Sequence, residues 1–332
     1  MEARLPSKRN GFSRPLHPLQ LLVLTIAIYF GLIWFCVNVP ALMREWQAAG
    51  NTIVTLTLAA HLTTYLVAMT INPADDTVIA KATKGTAAKL DRTIHRHAIE
   101  NEFCHLCECT VGVRSKHCST CNKCIEDFDH HCIWLNNCVG RKNYRTFIVC
   151  LFFGILSGII ISSINILQFV AYFTDVDNGH ILLPYAELTR DTSLITTTLQ
   201  LNVSQTTLNL QATAQFYIFF QPVPFEAFLF LIALTAVLAL VALILLSHLF
   251  IFHVFLMCKG LSTYDYIVRQ RLTEEEKART RDLELETRIQ TTTSTSCLNR
   301  GFLTKSRAVA PSAMVENPDL YPTKEKTEHS LV

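Results

Sequence analysis

A cysteine-rich stretch between Cys104 and Phe147 constrains the fold more strongly than any other part of the chain. Eight of the 12 cysteines lie between Cys104 and Cys138. They include two Cys-x2-Cys pairs, each followed by a histidine and another cysteine. Thiolate and imidazole groups at these spacings suit tetrahedral zinc. Two closed sites need eight ligands, whereas the stretch offers more Cys and His candidates than that. Some must be left over, and the adjacent His130, His131 and Cys132 are the natural place to look for them.

Four apolar runs place the chain among membrane proteins. Half of the residues are hydrophobic, only 17% are charged and the mean hydropathy is +0.28. Each run is long enough to cross a bilayer core. A secretory signal peptide is the alternative for the first run, but that run is long for one and has no obvious cleavage site. The runs cover about Leu19–Val39, Ile53–Ile71, Phe147–Phe173 and Phe225–Met257.

The tetrapeptide Asp129-His130-His131-Cys132, with these spacings and flanking runs, resembles the DHHC protein S-acyltransferase (palmitoyltransferase) family. The resemblance implies an α-helical multi-pass membrane protein. Four transmembrane helices would carry a cytosolic Cys-rich domain that binds two zinc ions between helices 2 and 3. The sequence departs from the family's motifs at Asn72 and Ala74 after the second run, and at Ser262 and Asp265 after the fourth.

The distribution of charge predicts the topology. Lys and Arg gather in the N-terminal tail, beside the zinc region and after the fourth run, so both termini and the Cys-rich region are expected in the cytosol. The resemblance implies an endomembrane location, the endoplasmic reticulum or Golgi. The predicted segments are a cytosolic N-tail (1–18), helices 1 and 2 (19–71), a cytosolic connector (72–103), the Cys-rich domain (104–147), helices 3 and 4 (148–257) with a lumenal loop at about 174–222, a membrane-proximal cytosolic tail (258–289) and a disordered tail (290–332).

The resemblance also implies the metal ligands. The first zinc would take Cys104, Cys107, His117 and Cys124. The second would take Cys118, Cys121, His131 and Cys138. Both sets are closed Cys3His sites, which are structural rather than catalytic.

Because zinc cannot then activate Cys132 directly, His130 is left as its general base or ion-pair partner. Asp129 would orient the imidazole. A cysteine paired with histidine is a nucleophilic thiolate near neutral pH. By resemblance, Thr263 would contact Asp129 and tie the tail after helix 4 to the active site.

The implied reaction transfers a long-chain acyl group from acyl-CoA, through a Cys132 acyl-enzyme, to membrane-proximal cysteines of protein substrates. The phosphates of acyl-CoA need cations to bind them. Candidates for this role are Arg114, Lys116, Arg141 and Lys142, and the alternative is that these four are solvated surface charges. The expected partners are acyl-CoA, protein substrates and the lipid bilayer, with no nucleic acid. The C-terminal Ser330-Leu331-Val332 fits a PDZ-type groove.

Other functions remain open from the sequence. A membrane adaptor could keep the zinc fold and act by binding alone, although the intact tetrapeptide argues against it. A channel is disfavoured because the helices lack the charged or strongly polar residues of an ion path. Beyond helix 4, the capping-box pattern Thr273-x-x-Glu276 predicts the start of a charged helix. Within helix 3, the spacing of Gly154, Gly158 and Ser162 predicts close helix packing in preference to room for an acyl chain.

Overall fold

Four long apolar helices form the body of the protein, as the sequence predicts. The computed structural model describes residues 6–81, 90, 93–95, 97–191 and 214–298, with side chains up to residue 289. Each of the four helices is long and apolar enough to cross a membrane. The helices of the described segments are α1 (Pro18–Ala41), α2 (Arg44–Thr70), the short α3 (Asp76–Lys81), α4 (Tyr144–Thr174), α5 (Phe225–Lys259) and α6 (Thr263–Leu298), with a further helical segment at 183–191.

Helix α2 begins at Arg44, nine residues before the second predicted apolar run starts at about Ile53. The extra turns pack against α1, where the indole of Trp34 donates to Asn51 Oδ1 at 3.2 Å. Gly50 lies against the same ring, and a Cβ there would come within 3.4 Å of it. Trp34 also opens a π-helical turn, Trp34–Asn38, within α1. Tertiary packing therefore makes a polar stretch helical that has no apolar run of its own.

Helix α4 packs against both α2 and α5. Its small residues allow close approach: a Cβ on Gly154 would lie 3.0 Å from the His61 ring of α2, and one on Gly158 would lie 3.4 Å from Leu243 of α5. His61 is a packing histidine, since its Nδ1 lies 3.0 Å from the carbonyl oxygen of Cys150. Neighbouring helices thus fill the space beside the glycines.

A buried amide cluster joins α1 to α4. Asn38 Nδ2 donates to Asn165 Oδ1 at 3.0 Å and to Gln168 Oε1 at 2.7 Å, and Gln168 returns a bond to the Asn38 carbonyl. All three side chains are at most 1% exposed. The sequence argument that the helices lack strongly polar residues overlooked these three amides. They bond to one another and to backbone, which suits helix association in lipid.

The Cys-rich region between α2 and α4 is built from short antiparallel pairs and tight turns. Its turns place several non-glycine residues at positive φ, among them Asn101, Asn122, Asp127 and Asn136. Asn and Asp tolerate that conformation best. The strands are β1 (Ile99–Glu100), β2 (Phe103–Cys104), β3 (Cys109–Thr110), β4 (Lys116–Cys118), β5 (Lys123–Ile125), β6 (His130–Cys132) and β7 (Asn137–Val139).

Two asparagines fix this region to the end of α2. The amide of Asn137 donates to the carbonyls of Ala68, Met69 and Ile71, at 3.2, 3.3 and 2.9 Å. These are carbonyls that a helix C-terminus leaves without intrahelical partners. Asn143 donates to the Cys138 carbonyl at 2.9 Å and accepts from the Gly140 N–H. Both side chains are at most 1% exposed, so the strands and the helix end share one hydrogen-bonded core.

After α4, a hairpin of β8 (Phe216–Ile218) and β9 (Gln221–Val223) precedes α5. Phe216 is 2% exposed and stacks on Phe228 of α5, with ring centroids 4.4 Å apart. Residues 192–213, the middle part of the predicted lumenal loop, lie outside the described ones.

Helix α6 starts ten residues before the predicted capping box. Ser262 and Asp265 form the actual box: the Asp265 N–H donates to the Ser262 hydroxyl at 3.1 Å, and the Ser262 N–H donates to Asp265 Oδ2 at 3.4 Å. The helix continues through 290–298, where the sequence predicts disorder. The rest of that predicted tail and the PDZ-type C-terminus, 299–332, lie outside the described residues. The chain divides into two compact units, Met1–Arg271 and Leu272–Val332.

Candidate active site and metal centres

The first cluster of predicted metal ligands converges in the structure. His117 and Cys124 face each other across the β4–β5 pair. The Sγ atoms of Cys104, Cys107 and Cys124 lie 3.6, 3.5 and 3.7 Å from His117 Nδ1. A tetrahedral zinc with ordinary Zn–S and Zn–N bonds separates such atoms by about 3.6 Å. The four side chains therefore fit one metal ion in a closed site.

The second cluster repeats this construction. His131 and Cys138 are opposite partners across β6–β7. Cys118, Cys121 and Cys138 place their Sγ atoms 3.8, 3.4 and 3.5 Å from His131 Nδ1. In each cluster the second cysteine of the Cys-x2-Cys pair donates its N–H to the first cysteine's sulfur at 3.4 Å. Both clusters thus fit a metal ion, and cysteines bind metal as thiolates.

Strand alternation separates metal ligands from the remaining candidates. Successive side chains of a strand point to opposite faces. In β6, His131 faces the second cluster, so His130 and Cys132 share the other face. The same rule in β4 sends His117 to the first cluster and Cys118 to the second. The two adjacent histidines of the tetrapeptide therefore have different environments: His131 faces the metal cluster, and His130 is the one left over.

On that other face, Asp129 and His130 form an ion pair. His130 Nδ1 lies 2.6 Å from Asp129 Oδ2. Because Nδ1 is engaged there, the remaining ring nitrogen, Nε2, is free for the interaction with Cys132 on the same strand face. Cys132 is 5% exposed. It packs in an apolar cluster with Tyr65, near the C-terminus of α2, and Phe147, near the N-terminus of α4. The thiol thus lies between a hydrogen-bonded histidine and the apolar helix bundle.

Thr263, at the start of α6, holds the same carboxylate from the other side. Its N–H donates to Asp129 Oδ1 at 3.0 Å and its hydroxyl donates to Oδ2 at 2.8 Å. The Tyr264 N–H also donates to the Asp129 carbonyl oxygen at 3.1 Å. Asp129 is 3% exposed, so every one of these bonds is shielded from water. The structure therefore brings Thr263 into the contact that the resemblance implies.

The protonation states follow from these contacts. Burial raises the pKa of Asp129, but hydrogen bonds from His130 and Thr263 outweigh it, and the net pKa lies below the ordinary value. Burial lowers the pKa of His130, yet interactions with Asp129 and Cys132 outweigh it and raise the pKa to about 9. His130 is therefore an imidazolium at neutral pH. An imidazolium beside a thiol favours the thiolate.

Comparisons with known proteins agree with this geometry. A family model described as DHHC palmitoyltransferase matches residues 97–270. The chain is 37% identical over 282 residues to palmitoyltransferase ZDHHC1 of Mus musculus, covering 84% of this chain and 54% of that relative. It is 34% identical over 271 residues to palmitoyltransferase ZDHHC11 of Mus musculus, covering 80% of this chain and 72% of the relative. The chain belongs to the DHHC palmitoyltransferase family.

The match to the plant relative is narrower. The chain is 31% identical over 173 residues to probable protein S-acyltransferase 20 of Arabidopsis thaliana, which covers 52% of this chain and 20% of that protein. The chain spans about half the length of ZDHHC1 of Mus musculus and of Homo sapiens. The residues that match the DHHC family model form the Cys-rich region and the two long helices that follow it.

The cations predicted to meet CoA phosphates all have partners within the protein. Lys142, for example, lies 2.5 Å from Asp76 and donates to the Ala74 carbonyl at 2.6 Å, so it ties α3 to the end of the Cys-rich region. The other pairs are Arg114 with Asp127 at 3.0 Å, Arg141 with Glu126 at 2.5 Å, and Lys116 over the Tyr264 ring at 5.4 Å. Each of the three ion pairs has at least one exposed side chain, and surface ion pairs of this kind rearrange at little cost.

Sequence reasoning missed the role of the N-terminal segment, which the basic composition presents as a solvated tail. The amide of Asn136 donates to the carbonyls of Gly11, Ser13 and Pro15, at 3.1, 3.3 and 3.2 Å. The Gly11 N–H donates to the Met69 carbonyl at the end of α2. Residues 8–15 therefore line the turn between β6 and β7, the turn that follows Cys132. The segment makes these contacts through its backbone, and Lys8 Nζ adds one side-chain bond to Asn136 Oδ1 at 2.8 Å, so no repeating side-chain pattern indicates them.

Lys123 is also part of the site's surroundings, and sequence reasoning did not single it out. It is 2% exposed and donates to the Arg9 carbonyl at 2.9 Å and to Asn72 Oδ1 at 2.6 Å. Burial lowers its pKa. Asn72, one of the two departures from the DHHC family's motif after the second run, thus accepts a hydrogen bond from this buried lysine. The departure at that position keeps an oxygen acceptor.

Proposed function

We propose that this chain is a protein S-acyltransferase. It moves a long-chain acyl group from acyl-CoA, through an acyl-enzyme on Cys132, to membrane-proximal cysteines of protein substrates. The observation that carries the proposal is the Asp129–His130 pair, 2.6 Å apart, on the same strand face as a thiol that borders the apolar helix bundle. A membrane adaptor has no need of such an arrangement.

In the proposed chemistry His130 gives up a proton in the first step and regains one in the second. The Cys132 thiolate attacks the thioester carbonyl carbon, the bond from that carbon to the CoA sulfur breaks, and the departing thiolate takes the His130 proton. Neutral His130 then accepts the proton of the substrate thiol. That thiolate attacks the acyl-Cys132 carbonyl, and Cys132 leaves as a thiolate beside the re-formed imidazolium. One thioester replaces another, so no other energy source is required.

The two Cys3His clusters would each hold a structural zinc ion. They have no open coordination position, so the metal would supply rigidity to β4–β7 rather than chemistry. Arg114, Lys116, Arg141 and Lys142 would exchange their present partners for CoA phosphates at the cytosolic rim. The apolar bundle would accommodate the acyl chain. The charge distribution supports placing both termini in the cytosol. The family resemblance supports an endomembrane location, and Ser330-Leu331-Val332 supports a PDZ-type partner.

Intact-mass measurement tests the first half-reaction. Purified wild type, Cys132→Ser and Cys258→Ser in detergent would be incubated with palmitoyl-CoA. We expect a hydroxylamine-labile acyl adduct on wild type and Cys258→Ser but not on Cys132→Ser, with equal metal content in all three. Cys258 is an exposed cysteine, so its variant controls for non-specific acylation. A folded, metal-loaded wild type without an adduct would instead favour the adaptor.

A further inference from the structure

A second histidine lies beside the catalytic pair, and the proposed reaction does not use it. His253 belongs to α5, two turns before the end of that helix, in a segment otherwise made of apolar residues. Its side chain is 1% exposed. Its ring nitrogen, a ring nitrogen of His130 and a carboxylate oxygen of Asp129 all lie within 4.8 Å of one another. Helix α5 therefore places an imidazole next to the Asp129–His130 pair.

The His130 ring is enclosed by contacts on several sides. Asp129 bonds its Nδ1, the Phe147 ring meets it edge-on with centroids 5.5 Å apart, and His253 lies at a centroid distance of 5.5 Å and a tilt of 39°. His253 and Phe147 also contact each other, at 5.1 Å and nearly perpendicular. Together, Phe147 and His253 limit rotation of the His130 ring about the bond to Asp129.

His253 is itself held by a polar contact. The Tyr144 hydroxyl lies 3.3 Å from His253 Nδ1, and the two rings meet edge-on at 5.8 Å. Tyr144 is the first residue of α4, so the pair bridges α4 and α5 at the level of the active site. A buried imidazole costs free energy unless it is hydrogen-bonded, and phenylalanine would fill a similar volume without that cost. The polar side chain at 253 is thus matched to polar neighbours.

We propose that His253, held by Tyr144, is a positioning residue that fixes the ring plane of His130 so that Nε2 stays directed at Cys132. It acts through His130 and touches no reacting atom. The inference rests on the proposed role of His130 and extends it to the membrane helices. Small displacements of a catalytic group lower rates by up to about 100-fold.

Alkylation of Cys132 tests the inference without acyl-CoA. The rate of iodoacetamide labelling at Cys132, followed by peptide mass mapping, reports thiolate reactivity, and exposed Cys258 serves as the internal reference. We expect His253→Phe to lower the Cys132 rate about tenfold. Tyr144→Phe, which removes one oxygen, is expected to lower it about threefold. His248→Phe, the same change at an exposed site of the same helix, should leave it unchanged.

A double-mutant cycle separates positioning from general support of the fold. If His253 acts through His130, His253→Phe has no further effect on Cys132 labelling in a His130→Asn background. An equal loss in both backgrounds, or no loss in the wild-type background, overturns the inference. In acylation assays the variant should lower kcat about tenfold and leave KM for palmitoyl-CoA unchanged.

Labelling and acylation together distinguish two kinds of failure. If the wild type forms no acyl adduct but the labelling cycle behaves as described, the proposed transferase function fails and the positioning role of His253 stands. If the adduct forms but neither His253→Phe nor Tyr144→Phe changes the Cys132 labelling rate or kcat, the positioning role fails and the transferase function stands. Should His253→Phe not fold, Tyr144→Phe carries the same comparison.

Discussion

Thr263 places two hydrogen-bond donors on one carboxylate, its N–H on Asp129 Oδ1 and its hydroxyl on Oδ2. Thr263→Val keeps the shape and the backbone bond but removes the hydroxyl. A hydrogen bond to a charged group contributes about 1.5–3 kcal/mol, so we expect acyl-enzyme formation to slow by about tenfold or more. Thr263→Ser retains the hydroxyl and should restore most of the rate. Reactions with palmitoyl-CoA that are quenched at set times measure the rate of acyl-enzyme formation for both variants. Equal rates for the Val and Ser variants would contradict this role for the hydroxyl.

Asp75 is a second buried carboxylate, and it links the end of α2 to the first metal cluster. Its Oδ2 accepts from the Gly112 N–H at 3.0 Å and from the Ser115 hydroxyl at 2.7 Å. Its Oδ1 accepts from Thr77. Burial raises its pKa, but these hydrogen bonds outweigh it and the net pKa is lowered. The charged form is therefore the one that the fold stabilises.

Because the folded-state pKa is lowered, the stability that Asp75 contributes is present above its unfolded pKa of about 3.9 and is lost as the pH falls through the lower folded value. We expect Asp75→Asn to destabilise the fold by about 1–3 kcal/mol at pH 7. Its difference from wild type should shrink below about pH 4. Thermal unfolding in detergent measures this. Asp76→Asn is the matched control, because that exposed carboxylate pairs with Lys142 at the surface and should matter little.

At the level of elements, the N-terminal segment and the β6–β7 turn act as one unit. A Cβ on Gly11 would lie 2.3 Å from the Leu135 carbonyl oxygen, a backbone atom that cannot move aside cheaply. We therefore expect Gly11→Ala to lower the apparent unfolding temperature and slow acyl-enzyme formation. Gly31→Ala in α1 is the control: nothing lies within 4 Å of its added Cβ, so the change should be neutral or slightly stabilising. Equal behaviour of the two variants would show that the segment does not support the turn.

The helices can be predicted from the sequence, whereas the short strands and the docking of the N-terminal segment cannot. Long apolar runs identify four helices because crossing a bilayer needs about 20 apolar residues. Cys and His spacing indicates two tetrahedral metal sites, and the resemblance to the DHHC family assigns the ligands of each, which come from local hairpins. Strands of two or three residues show no periodicity, and residues 8–15 dock through backbone groups together with scattered side-chain bonds from Lys8 and Asn10. Neither leaves a side-chain pattern in the sequence.

His253 shows a different limit of sequence reasoning. One histidine in an apolar helix resembles a packing residue such as His61, which is bonded to the Cys150 carbonyl. Only the placement of α5 against β6 distinguishes the two positions. The start of α6 was missed for a related reason: Ser262 and Asp265 cap it, while the stronger pattern at Thr273-x-x-Glu276 lies inside the helix.

Over the whole molecule, the two metal clusters are interleaved along the chain. β4 supplies His117 to one cluster and the adjacent Cys118 to the other, and β6 carries His131 of the second cluster between His130 and Cys132. Loss of either metal should therefore loosen the strand that bears the other cluster's ligand and, through β6, the active site. The N-terminal segment and α2 add to this dependence, since Asn136 and Asn137 join them to the same hairpin.

Metal content and activity should consequently fall together. We expect Cys104→Ala, in the cluster farther along the chain from Cys132, to reduce bound zinc below two per protein and to abolish acyl-enzyme formation, because unligated clusters do not fold independently. Cys109→Ala is the matched control: this half-buried cysteine belongs to neither cluster, although it lies beside Thr77, so two zinc ions and activity should remain. Elemental analysis and intact mass on the same samples measure both. A Cys104→Ala protein that keeps one zinc ion and full acylation would show that the clusters fold separately and that β6 alone supports Cys132.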